Sequence, residues 1–197
     1  MVLEKRKEQF NRLLNKRYLF CVDFEATCCD KGTIPRDEME IIEFGGILLD
    51  REKGWGAVAK IEFFIEPMLH PNLTDFCKGL TKITQDQVDM GWEYARASEF
   101  MEGFNEVYGS DYTWCSWGEF DKNIAVQNGK MHSLPPLLPP ETHFNLKVWY
   151  SSLNMTKRGF GLDGAVRREG LEFLGQHHRA LSDAENVAQI FRRLVQR

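Results

Sequence analysis

A dense apolar segment near the start of the chain most constrains its fold. It runs from Tyr18 to Phe24 and is rich in residues that favour β-structure, which predicts a central strand buried on both faces. Asp23 and Glu25 lie at the end of this strand, two residues apart, so both side chains point to the same side of the sheet. Two carboxylates there are costly unless each pairs with an Arg or Lys, or a metal cation lies between them.

The order of the other segments predicts an α/β fold with a mixed five-stranded sheet, an antiparallel meander joined to parallel strands and flanked by helices. The predicted strands are 18–24, 40–49, 58–65, 112–117 and 144–147. The predicted helices are 73–78, 85–90, 98–108, 119–127, a helix that ends at 153, 162–169, and a last helix that begins at Ser182 with the capping-box pattern Ser182-Asp-Ala-Glu185. Four prolines within 134–140 predict an extended surface loop.

Composition sets few further limits. The 197 residues are 43% hydrophobic and 27% charged, which is typical of one globular domain with a core of its own. The five cysteines are odd in number and lack C-x-x-C spacing, so we expect reduced thiols. A net charge of −4 does not exclude a nucleic-acid enzyme, because carboxylates that bind cations make such a protein more acidic.

The N-terminal segment is charged and lacks the apolar stretch of a signal peptide, and no apolar run approaches the roughly 18 residues that span a bilayer. We therefore expect a cytoplasmic protein that does not enter a membrane. Residues 1–17 are predicted to form a basic N-terminal helix or arm ahead of one domain at 18–197. Such a segment could face nucleic acid or could be a solvated helix docked by a few apolar residues, and both interpretations stay open.

Two later segments carry further candidate site residues. Asp121 lies where the predicted fourth strand passes into a helix, the end at which α/β sheets place ligands, although Glu119 competes with it and an Asp there could also be a cap. Asp183 lies in the first turn of the last helix, where the helix dipole favours an ionised carboxylate. His178 precedes it by five residues, in a loop, with His177 as its neighbouring alternative.

Taken together, these motifs resemble the DEDDh 3′→5′ exonucleases of ribonuclease H-like fold. The resemblance is greatest to the enhanced-RNAi and histone-mRNA 3′ exoribonuclease branch, and it extends from about Tyr18 to Val195. The matching words are Asp23-Phe-Glu-Ala-Thr27, Glu40-Ile-Ile-Glu-Phe-Gly45, Leu80-Thr-Lys-Ile-Thr84, Ser116-Trp-Gly118 with Asp121, and His178-Arg-Ala-Leu-Ser-Asp183. One word departs from the family pattern, because Lys82 replaces a glycine.

The resemblance implies a three-layer fold and a two-metal exonuclease that releases 5′-mononucleotides from the 3′ end of RNA. It implies two Mg²⁺ ions, for which Mn²⁺ can substitute, about 4 Å apart. Asp23 would bridge the ions, Glu25 and Asp183 would complete one site, and Asp121 would serve the other. His178 would be the general base, with a pKa that is suitable for this work.

Contacts to the substrate are predicted from the same resemblance. Ala26 and Thr27 would approach the terminal nucleotide, and Leu80 and Thr81 would pack against the last base. The expected partner is single-stranded RNA or an RNA 3′ end. Two alternatives stay open: a 3′→5′ DNA exonuclease, and a catalytically silent module that binds nucleic acid. We leave Glu43 out of the metal set, as a buried acid with a structural partner.

Overall fold

The computed structural model describes residues 15–156 and 159–196. Most of the predicted basic arm, 1–14, lies outside the described residues, so the arm stays a prediction. Within these ranges, five strands form one sheet: β1 (Tyr18–Ala26), β2 (Ile41–Asp50), β3 (Gly56–Phe64), β4 (Tyr112–Ser116) and β5 (His143–Asn145). The helices in the described residues are α1 (Asp75–Thr81), α2 (Gln85–Asp89), α3 (Tyr94–Tyr108), α4 (Phe120–Met131), α5 (Leu146–Leu153), α6 (Leu162–Arg168) and α7 (Ala180–Val195).

The sheet has the mixed topology that the sequence predicts. Its strand order is β3-β2-β1-β4-β5, in which β1, β2 and β3 pair antiparallel while β4 lies parallel to both β1 and β5. The short turn at Arg51–Lys53 allows the antiparallel return of β3, whereas the helical crossover between β3 and β4 allows parallel pairing. β1 is therefore central, with side chains from Leu19 to Val22 fully buried, as predicted.

Helices cover both faces of this sheet and make the fold three-layered. One face packs under α7, whose predicted apolar side chains Ala184, Val187, Ala188, Phe191 and Leu194 are all buried. The other face packs against α3 and α4 through an aromatic cluster around Phe20 and Phe44. Among the described residues, none of the helices combines the length and the apolar character that crossing a bilayer requires.

Two local predictions are wrong. The proline-rich segment at 134–140 is not merely a surface loop, because Leu137 and Leu138 are buried in the core and the Trp114 indole N–H donates to the Pro139 carbonyl. The last helix begins at Ala180 rather than after Ser182, and no side chain of the helix itself caps it. Ser182 lies inside the helix and its hydroxyl accepts the Gln176 N–H.

Candidate active site

Three of the predicted acids meet where the end of β1 faces the start of α7. Asp23 and Glu25 lie on the side of the sheet that α7 covers, since their neighbours Leu19 and Cys21 pack against that helix. Asp183 lies in the first turn of α7 and is buried. Carboxylate oxygens of Asp23, Glu25 and Asp183 all lie within 4.8 Å of one another.

The fourth acid reaches this cluster from α4. Pairing of β1 with β4 stops at Cys21, which leaves the Phe24 N–H without a strand partner on that side. The Asp121 carboxylate accepts this N–H at 3.0 Å, so Asp121 is bound to the main chain between Asp23 and Glu25. Glu119, its competitor in the sequence, is turned away, because it pairs with Lys122 and accepts the Asn145 amide at 2.7 Å.

The electrostatics of the cluster favour the binding of a cation. Burial, reinforced by the neighbouring acids, raises the pKa of Glu25 to about 9 and the pKa of Asp183 to about 7. Burial likewise raises the pKa of Asp121 to about 6 and the pKa of Asp23 well above its ordinary value. Such shifts arise when carboxylates share a buried place without a compensating positive charge. They are common at functional sites.

The donor atoms fit a divalent metal. Asp183 Oδ1 is buried and accepts no hydrogen bond from the described residues, which is unusual for a strong acceptor. A bound cation would satisfy this oxygen. The four acids offer only carboxylate oxygens, the ligands that hard cations such as Mg²⁺ and Mn²⁺ prefer. The cluster is therefore suited to divalent metal.

Both candidate histidines lie beside Asp183. Their rings stack at 4.0 Å, and His177 Nε2 is 3.7 Å from Asp183 Oδ2. His178 is half-buried, and burial together with the adjacent His177 lowers its pKa, so its imidazole is neutral at pH 7. His177 is more exposed. Because ligand atoms of His177, His178 and Asp183 all lie within 4.8 Å of one another, geometry alone does not choose between the two rings. The preference for His178 continues to depend on its spacing to Asp183.

The four predicted substrate contacts are placed differently from one another. Leu80 is 36% exposed on α1 and presents an apolar surface to solvent. Thr81 and Thr27 are buried, with hydroxyls engaged by the Ile83 N–H and the Glu40 N–H. Ala26 is buried as well. Any contact from the three buried residues would therefore involve the main chain, and all four contacts stay predictions.

Lys82, the departure from the family pattern, occupies the left-handed position that ends α1. Its φ is +60°, and its N–H donates to the Lys78 carbonyl. This is a conformation that glycine adopts without strain. The turn is thus kept despite the substitution.

Trp117 is half-buried against the core and donates its indole N–H to the Phe160 carbonyl, which matches a packing role.

Sequence reasoning missed one residue next to this site. Arg179 directly follows His178 and forms a close ion pair with Glu43, whose side chain is fully buried in β2. Glu43 was expected to have a structural partner, but the partner could not be named. One signal in the sequence could have indicated such a partner. Glu43 lies within an apolar strand, and a buried acid must either pair with a cation or become protonated.

Comparisons with known proteins agree with this architecture. Residues 20–191 match the RNase_T exonuclease family. The human protein "ERI1 exoribonuclease 2" is 28% identical over 198 residues, which cover 90% of this chain and 28% of that protein, so the chain spans under a third of its length. "Probable 3'-5' exonuclease KapD" of Bacillus subtilis is 30% identical and is matched over 90% of this chain and 84% of its own length.

A solved structure supports the same assignment. The nuclease domain of 3'hExo, a DEDDh family member bound to rAMP, superposes with a TM-score of 0.83 at 26% identity, and the match covers 92% of each chain. Since the family match spans most of the chain and includes β1, α4 and α7 with their acids, the chain belongs to the RNase_T exonuclease family and has the ribonuclease H-like fold of the DEDDh nucleases.

Proposed function

We propose that this chain is a metal-dependent 3′→5′ exoribonuclease that hydrolyses the terminal phosphodiester bond of RNA and releases 5′-mononucleotides one at a time. One observation carries the proposal: acids from β1, α4 and α7 converge with raised pKa values, and a buried Asp183 oxygen accepts no hydrogen bond from the part of the chain that the structure describes. Curated relatives named as exoribonucleases support RNA as the substrate. So does a neighbouring structure described as specific recognition of the histone mRNA stem-loop 3′ end.

The acids would hold two Mg²⁺ ions, for which Mn²⁺ can substitute. Glu25 and Asp183 would hold one ion and Asp121 the other, and Asp23 would contribute to both sites. When bound, such ions stabilise the charge that gathers on the phosphate and on the departing oxygen. The protein contributes a fixed donor at Asp121, whose carboxylate accepts the Phe24 N–H.

His178 would be the general base. Its lowered pKa keeps the imidazole neutral near pH 7, so the ring can accept a proton from the attacking water.

Leu80 would give the last base an apolar surface on which to pack. RNA differs from DNA by its 2′-hydroxyl, which main-chain groups can bind as well as side chains can. The Cys77 thiol of α1 lies 3.7 Å from the Ala26 carbonyl, so the main chain beside Thr27 neighbours the helix that carries Thr81 and suits that form of contact.

A digestion series tests the proposal. Matched RNA and DNA oligonucleotides with single-stranded, duplex and stem-loop 3′ ends would be incubated with the chain in Mg²⁺, Mn²⁺ or chelator, and the products separated by length. We expect mononucleotides from the 3′ end of RNA only when a divalent ion is present. The variant Asp183→Asn should be inactive, whereas Asp163→Asn, a change in an acid of α6 that pairs with Arg167, should digest normally.

The other outcomes identify the alternatives. Faster digestion of DNA than of matched RNA would make the chain a DNA exonuclease. Binding of oligonucleotides without release of mononucleotides, under every metal condition, would make it a catalytically silent module.

A further inference from the structure

A fifth carboxylate lies beside the metal acids and is kept from them. Glu43 faces Glu25 directly across the β1–β2 pair, so both side chains point to the same side of the sheet. The Glu43 side chain is 0% exposed. An ionised carboxylate buried there, beside Glu25 and Asp183, needs a partner of its own.

Arg179 supplies that partner with a nearly complete set of hydrogen bonds. Its Nε donates to both Glu43 oxygens at 3.0 and 3.2 Å, and its Nη2 donates to Oε1 at 2.7 Å. The Ala180 N–H donates to Oε2 at 2.9 Å. The guanidinium also lies 5.6 Å from the Phe64 ring centre and 3.7 Å from Glu62 Oε1. Arg179 is thus fixed against β2 and β3 by charge-assisted hydrogen bonds, which are stronger than hydrogen bonds between neutral groups.

The ion pair holds the chain at the point where the catalytic segment enters α7. His178, the residue before Arg179, has a φ of +63°, a left-handed conformation that is unfavourable for a residue with a Cβ. Such a conformation persists only where the surroundings enforce it. On the other side of His178, the Asn186 amide binds both the N–H and the carbonyl of Leu174. The loop that carries His178 is therefore anchored at both ends.

The position of Gly45 is independent evidence that the start of α7 packs closely against β2. A Cβ on Gly45 would lie 2.1 Å from the Ala180 carbonyl carbon and 2.2 Å from the Leu181 nitrogen. Only glycine allows the main chain of α7 to lie so close to β2. Glu43 and Gly45, two residues apart on one side of the strand, together form the seat for the start of this helix.

We propose that Arg179 is a positioning residue for the nuclease reaction: its ion pair with Glu43 fixes the main chain of His178, so that the imidazole faces the scissile phosphate. Arg179 does not touch the reacting atoms and acts through His178. The inference therefore rests on the proposed role of His178 as general base. The ion pair also explains why Glu43 is not counted as a metal ligand. Arg179 and the Ala180 N–H already bind both of its oxygens, which leaves the other four acids to hold metal.

The test is a double-mutant cycle between Arg179 and His178, measured as kcat and KM on a single-stranded RNA at saturating Mg²⁺. We expect Arg179→Met to lower kcat about 10- to 100-fold, the size of effect that a misplaced catalytic group produces, with KM changed less than about 3-fold. Arg179→Lys should fall between, because an ammonium cannot reproduce the planar fork of the guanidinium. In a His178→Ala background, Arg179→Met should lower kcat by less than about 2-fold more.

Two further variants keep the result interpretable. Arg179→Met alone leaves Glu43 buried and unpaired, which can unfold the protein, so Glu43→Gln/Arg179→Met removes that charge and should fold while still losing turnover. Arg167→Met, which changes an exposed arginine of α6 paired with Asp163, should keep the kcat of the unchanged chain. Circular dichroism would verify folding of every variant.

Either of two results would overturn the inference while leaving the proposed function intact: normal kcat in a folded Arg179 variant, or an equal loss from Arg179→Met with and without His178. The second result would mean that Arg179 acts through the metal acids or on the fold as a whole. Full activity of His178→Ala would instead remove the base role, and the inference would fall with it.

Discussion

Asp121 and Glu119 lie two residues apart and meet entirely different environments. Asp121 turns inward and accepts the Phe24 N–H, while Glu119 pairs at the surface with Lys122. The difference follows from the end of β4 pairing, which leaves one β1 N–H free beside the start of α4. At this scale a residue's role depends on which main-chain group lies within reach of its side chain.

The adjacent histidines allow a prediction at the same scale. Removal of the general base should cost about 10²- to 10⁴-fold in kcat. We expect His178→Ala to show this loss, and His177→Ala to retain most turnover because its ring is more exposed and lies outside the H-x4-D spacing. The measurement is kcat on RNA for both variants, with the Mg²⁺-induced rise in melting temperature as the check that metal binding is kept. A larger loss in His177→Ala than in His178→Ala would transfer the base role to His177.

At the scale of single elements, the ends of helices depend on groups that lie far away in the sequence. α7 begins at Ala180 because Glu43, 137 positions earlier in the chain, accepts its first N–H. α1 ends at Thr81 because the next residue, Lys82, adopts a left-handed conformation, which local sequence does not favour for lysine. The interiors of both helices follow their sequence pattern, whereas their boundaries do not.

The close packing of the start of α7 against Gly45 predicts that one added methyl group at this position destabilises the protein. Gly45→Ala would place a Cβ within 2.5 Å of three main-chain atoms of Ala180 and Leu181, none of which can rotate away. We expect a loss of about 1–3 kcal/mol or more in the free energy of unfolding, with reduced turnover as α7 is displaced. The matched control is Gly103→Ala in α3, where a Cβ meets nothing within 4 Å. Urea unfolding should show this control unchanged or slightly more stable, and equal stability of both variants would contradict the packing described for Gly45.

The end of α1 gives a second prediction. Lys82→Gly should raise the free energy of unfolding by about 1 kcal/mol, because glycine adopts the left-handed conformation without steric cost. Lys78→Gly, in the last turn of the same helix, should lower it by about 1 kcal/mol, since glycine is a poor residue inside a helix. Urea unfolding of the two variants should give changes of opposite sign in the free energy of unfolding, although the two lysines are only four residues apart. Destabilisation by both would mean that Lys82 contributes a contact of its own.

For the whole molecule, the metal acids set how stability depends on pH. The folded pKa values of Asp121, Asp183 and Glu25, about 6, 7 and 9, lie above those of ordinary unfolded carboxyls near 4. The metal-free folded state therefore binds more protons than the unfolded state across this range. Stability is fully present below the unfolded pKa and is lost as pH rises through the folded values.

We accordingly expect the melting temperature in chelator to fall as pH rises from about 4 to 9, the window between the unfolded and folded pKa values. Saturating Mg²⁺ should flatten this fall, because binding to ionised acids stabilises the folded state more as pH rises. Thermal unfolding across this pH range, with and without Mg²⁺, measures both curves. Asp183→Asn should weaken the fall in chelator, whereas Asp163→Asn should not. Parallel curves with and without Mg²⁺ would argue against a metal site at these acids.

The sequence alone determined the central strand, the mixed sheet and the apolar face of α7. The strand follows from a continuous apolar run, the sheet from the order of strand and helix segments, and the helix face from the helical spacing of its apolar residues. The acids at the end of β1 also follow from sequence, since two carboxylates on a buried strand demand compensation. Their catalytic roles, the substrate contacts, the basic arm and the cytoplasmic location stay predictions.

Tertiary structure decided what depends on partners remote in the chain. The pairing of Glu43 with Arg179, the start of α7 and the burial of Leu137 and Leu138 all require elements that only the folded chain brings together. A hydrogen bond between groups more than 100 residues apart leaves no periodic trace in either segment. Side-chain periodicity records which face of an element is buried, but it does not record which distant polar group will satisfy the element's ends.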